Sequence, residues 1–129
     1  MPYLFFLLWT GILLPACKNR NTTTQPVNVA SIAGLRKGEV VTCGPAEEQF
    51  GRVAFTLLAT QRVKDSFNLA LALLHSFEYE EAEKAFAKVI DMDPKCAMAY
   101  WGVAMSNFHP LWSPPNKTEM EKGARASEI

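Results

Sequence analysis

Two stretches decide the fold: Ser66-Phe67-Asn68-Leu69-Ala70-Leu71-Ala72-Leu73-Leu74-His75 and Tyr100-Trp101-Gly102-Val103-Ala104-Met105-Ser106-Asn107-Phe108-His109. An offset of 34 sets Phe67 on Trp101, Leu69 on Val103, Ala70 on Ala104 and His75 on His109. A period of this length is the mark of helix pairs stacked side by side, each pair burying its apolar face against the next.

The residues between the two stretches fit a second helix. Tyr79, Ala82, Phe86, Val89 and Ile90 fall at helical spacing on one face. Glu80 and Lys84 form a favourable i,i+4 pair on the other side, and Glu78, Glu80, Glu81 and Glu83 read as a solvated carboxylate face. Asp91-Met92-Asp93-Pro94 ends this helix and starts the next, with Asp93 as cap and Pro94 in the first helical position.

In this pattern the chain resembles the tetratricopeptide repeat family over residues 63–109. The resemblance rests on Leu69 and Ala70 in a first helix, Tyr79, Ala82, Phe86 and Val89 in a second, and Pro94 after it. Ser66 stands where a large aromatic is common, and Tyr100 restores that residue type in the next repeat. The match is closer still to a group of bacterial tetratricopeptide proteins that are often exported. It implies an all-α chain of helix-turn-helix repeats, an α-solenoid with one repeat over 63–96 and a partial one over 97–129. It also implies a concave groove lined by the first helix of each pair. Lys64, Phe67, Leu71, Leu74 and His75 would line one level, and Met98, Trp101, Met105, Phe108 and His109 the level beneath. Such a groove would take an extended peptide or an apolar ligand. The Lys/Asn clamp that some relatives use for a C-terminal carboxylate is not matched, since Phe67 and Leu71 hold its positions.

Outside the repeat the signals thin. Gly44-Pro45-Ala46-Glu47-Glu48-Gln49-Phe50 looks like a helix start, continued by Val53, Ala54, Leu57 and Leu58 across Gly51. Pro110, Pro114 and Pro115 interrupt the second repeat. Thr118-Glu119-Met120-Glu121 then resembles a capping box, opening a last helix toward Ile129. About three repeats make a stable stack, so residues 45–129 are expected to be an incomplete array, a fragment of a longer solenoid.

Met1 to Cys17 is an uncharged apolar run, and all 26 charges follow it. Sixteen helical residues rise only about 24 Å, short of a ~30 Å hydrocarbon layer. Leu14-Pro15-Ala16-Cys17 followed by Lys18-Asn19-Arg20 resembles the lipobox of bacterial lipoproteins. That resemblance implies a leader over 1–16, removed on export, a lipid-modified Cys17, and a location on the bacterial cell envelope facing the periplasm or exterior. Pro15 and the lack of a Lys or Arg before the apolar run depart from the pattern. An uncleaved short anchor and a buried N-terminal helix are the alternatives. Residues 17–44, with Thr22-Thr23-Thr24-Gln25-Pro26 and the glycines Gly34 and Gly38, read as a flexible tether.

Thirteen basic and thirteen acidic residues cancel, which argues against a nucleic-acid binder held by phosphate charge. No phosphate loop, dinucleotide glycine motif, HExxH or GxSxG is present, so no enzyme and no cofactor is expected. Cys96, Met98, Met105 and His109 are soft donors but only roughly share a helix face, and no metal is expected there. With Cys17 acylated, Cys43 and Cys96 remain, as two thiols or as one disulfide. The expected function is a membrane-tethered module for binding a protein or peptide partner. The alternative is a small-ligand or metal-binding protein using the aromatic, His-lined groove.

Overall fold

The computed structural model describes residues 28–109, 111 and 113–129, and places five α-helices and one 3₁₀ turn (Val29–Ser31) among them, with no strand. The helices are α1 (Ala46–Phe50), α2 (Gln61–His75), α3 (Tyr79–Met92), α4 (Ala97–Phe108) and α5 (Lys117–Ser127). The fold is all-α. From α2 onward each helix packs on the next, and α4 also touches α2. The proposed leader and Cys17 lie outside the described residues.

The packing follows from where the sequence puts small and large side chains. Ala82, Phe86, Val89 and Ile90 are fully buried on α3, as their spacing demands. Phe86 stacks edge-on against Phe67 of α2, with ring centroids 5.6 Å apart. Gly102 of α4 closes over the same ring, and a Cβ there would lie 2.4 Å from it. Two helices can meet at Phe86 because one of them has no side chain at the crossing.

The junctions differ in detail from the sequence expectation. Between α2 and α3 the N–H of Glu78 donates to Leu73 and that of Phe77 to Leu74, with Phe77 at φ +65°, a region glycine usually occupies. Asp93 and Pro94 do not cap α4. They form a turn in which Asp93 Oδ1 accepts from the Lys95 N–H, and the helix starts at Ala97. The capping box of α5 is shifted two residues from the expected Thr118–Glu121 pair. Asn116 Oδ1 accepts from the Glu119 N–H at 3.0 Å, and Glu119 Oε2 accepts from the Asn116 N–H at 2.9 Å. The helix expected across Val53, Ala54, Leu57 and Leu58 stops at Phe50, because Gly51 turns the chain at φ +73°. Residues 52–59 then run over α2 without regular structure. The Phe55 ring sits 5.4 Å from Phe67, and the Phe55 N–H donates to Asn68 Oδ1.

Residues 28–44 are packed rather than a free tether. Ile32 enters the core, Lys37 pairs with Asp91 at 2.6 Å, and the Val41 N–H donates to Glu81 at 2.8 Å. Arg36 donates from its backbone and its guanidinium to the two Glu83 oxygens, at 2.9 and 3.1 Å. The carboxylate face of α3 is therefore not wholly solvated. Glu83 is fully buried, and Lys122 of α5 closes on it at 2.7 and 2.9 Å while also donating to the Gly34 carbonyl. Glu80 bonds Arg36, and Lys84 pairs with Glu81 rather than Glu80. An isolated buried carboxylate is costly, and this one is neutralised from two elements far apart in sequence.

Candidate functional site

The two levels of the expected groove have different fates. Lys64 is half-buried, Phe67, Leu71 and Leu74 are inside the core, and His75 is exposed. Phe67 cannot face a ligand: it is fully buried, with the Phe55 and Phe86 rings 5.4 and 5.6 Å from its own. The level beneath is open. Trp101 is 39% exposed and Phe108 48%, with Met98 and Met105 half-buried on the same line. Trp101, Met105 and Phe108 are the residues 34 positions after Phe67, Leu71 and Leu74. Equal positions are core in α2 and surface in α4.

His75 and His109 do not form a matched pair of imidazoles. His109 Nε2 lies 3.3 Å from Glu119 Oε2, and its Nδ1 lies 2.9 Å from the Ser113 carbonyl oxygen. Its ring also rests on Tyr79, 5.3 Å between centroids. These contacts fasten the α4–α5 loop to α3 and to the cap of α5. The backbone N–H of Asn116 holds the Glu119 carboxyl below its ordinary range; partial burial opposes this, and His109 reinforces it.

Beside the open stripe a cleft of about 260 Å³ separates α4 from α5. Ala104, Met105, Asn107 and Phe108 form one wall; Met120, 46% exposed, forms the other with Glu119, Gly123, Ala124 and Ser127. Gly123 lets the helices approach, since a Cβ there would already meet the Ala104 carbonyl at 3.3 Å. Asn107 is buried; its Nδ2 donates to the Val103 carbonyl, and its Oδ1 is the only buried side-chain oxygen or nitrogen among the described residues without a partner. Sequence reasoning missed this second wall. Met120, Gly123 and Ser127 share a helix face, but the proline loop hid which face that was.

The soft donors are dispersed. Cys96 and His109 lie at opposite ends of α4, about 20 Å apart along the axis. Among the described residues no three His, Cys, Asp or Glu side chains gather as a metal site. Cys43 is exposed and Cys96 buried, and the two are unpaired; burial pushes the Cys96 thiol up. No helix among the described residues is long and apolar enough to cross a membrane. No family model matches the chain, and neither the curated proteins nor the solved structures include a significantly similar one.

Proposed function

We propose that the chain is a lipid-anchored, tetratricopeptide-type interaction module of the bacterial cell envelope, which binds a protein partner through α4 and carries out no reaction of its own. The observation that carries this reading is the open stripe of Met98, Trp101, Met105 and Phe108. Trp101 and Phe108 are exposed in line with the half-buried Met98 and Met105, and a contiguous apolar stripe of this kind marks contact sites. The repeat type is supported by the 34-residue offset and by the small residues where helices cross. The anchor is supported by Leu14-Pro15-Ala16-Cys17 at the end of the apolar run.

A photo-crosslinking residue placed at Phe108 or at Lys88, on an exposed part of α3, tests the reading in intact cells. Protein adducts are expected from Phe108 and not from Lys88. Intact mass of the membrane-extracted chain should show loss of residues 1–16 and acyl chains on Cys17. Equal labelling at both sites would refute the binding surface, and retention of Met1 with a bare Cys17 would refute the anchor.

A further inference from the structure

We propose that the α4 stripe is a self-association surface, on which α4 of a second copy of this chain packs antiparallel about a two-fold axis.

The interface inside the molecule supplies the precedent. Phe67, Leu71 and Leu74 of α2 are buried in the core, where Phe67 meets Phe86 and α4 crosses Phe86 at Gly102. Their equivalents Trp101, Met105 and Phe108 carry the same chemistry one repeat later; Trp101 and Phe108 stay exposed and Met105 half-buried. Side chains of this kind in this register are suited to meet a helix.

The spacing of the stripe makes α4 complementary to itself. Met98, Trp101, Met105 and Phe108 are separated by three, four and three residues, the seam along which two helices share knobs and holes. That spacing reads the same in either direction. An antiparallel copy therefore sets Met98 against Phe108 and Trp101 against Met105, twice over, as an isologous contact requires. Ala97–Phe108 contains no charged residue, so two identical helices meet without like-charge repulsion.

The cleft completes the contact. An indole from the second copy can rest on Met105 and Phe108 at the edge of the cleft. The cleft, at about 260 Å³, has room for an aromatic side chain.

The patch is small. Trp101 and Phe108 each offer on the order of 80–100 Å², and a stable pair buries about 800 Å² on each side. Association in solution is therefore weak. On the tethered reading above, copies anchored in one membrane raise each other's effective concentration and complete the pairing.

The test uses the full chain in mild detergent, followed by sedimentation velocity across the micromolar range. A reversible monomer–dimer equilibrium is expected. Trp101→Lys and Met105→Glu, each at an exposed or half-buried position, should each weaken it on the order of tenfold or more. Mixing the two variants should restore association, because the antiparallel arrangement sets Lys against Glu at one of the two sites. A monomer at every concentration overturns the proposal, as does a dimer indifferent to Trp101→Lys or a mixture that does not recover. A different protein crosslinked at Phe108 with a monomeric chain would sink self-association and leave the binding surface standing.

Discussion

Gly102 and Glu83 show how little the identity of a residue says until its neighbour is known. Alanine in place of glycine inside a helix ordinarily stabilises by about 1 kcal/mol. At Gly102 the added methyl would sit 2.4 Å from the Phe86 ring, which is itself fully buried. Overpacking of this kind costs about 1–3 kcal/mol, so Gly102→Ala should destabilise despite the better helix former, as a lower urea midpoint at unchanged slope. Glu83→Gln keeps the shape and removes the charge, leaving Lys122 buried without its carboxylate. A loss of about 3–5 kcal/mol is expected from breaking one side of such a pair. Adding Lys122→Met should recover much of it, and urea unfolding of the single and double variants checks both. The 34-residue offset pointed to close packing along α4. It could not show that Glu83 is buried, because the partner, Lys122, lies 39 residues away on a helix of unknown register.

At the scale of elements, α5 depends on a carboxylate that is kept ionised. Glu119 accepts from the Asn116 N–H and faces His109, and its carboxyl is lowered chiefly by that backbone N–H. Burial alone would raise Glu81, but the Lys84 ammonium and the Val41 N–H outweigh it and bring that carboxyl down as well. A carboxyl lowered on folding stabilises above its unfolded value, about 4.3, and that contribution is lost as pH falls through the lowered value. Acidification should therefore release the α5 cap and the Val41 attachment before α2 and α3 open. Amide exchange at Asn116 and Val41, followed downward from neutral pH, measures this. Glu119→Gln should flatten the response at the cap, and protection unchanged in acid would contradict it. The capping box was legible as a type and misplaced by two residues: Thr118–Glu121 has the same spacing as Asn116–Glu119, and only the path of the proline loop separates them. Helix α1 was overextended for a related reason. Val53 and Leu57 are apolar because they cover α2, a role that does not require a helix.

Across the whole molecule, helices α2 to α4 were legible because their residues repeat, and repetition is a local signal that needs no knowledge of distant contacts. The segment before α1 had no such signal. Its composition is that of a linker, yet Ile32, Arg36, Lys37 and Val41 each meet a residue of α3 or the core. The candidate site was half legible for the same reason: the α4 stripe follows from the repeat, whereas the α5 wall depends on how the chain returns through the proline loop. The attachment of residues 28–44 also sets a distance. With Cys17 in the membrane, as proposed, at most the 11 residues from Lys18 to Asn28 would separate it from Val29, which packs on the core, rather than the 27 from Lys18 to Gly44. At full stretch that is about 40 Å instead of about 95 Å. A body so held would sweep a thin layer above the lipid, and its encounters would be with neighbours on the same surface and seldom with anything across the compartment.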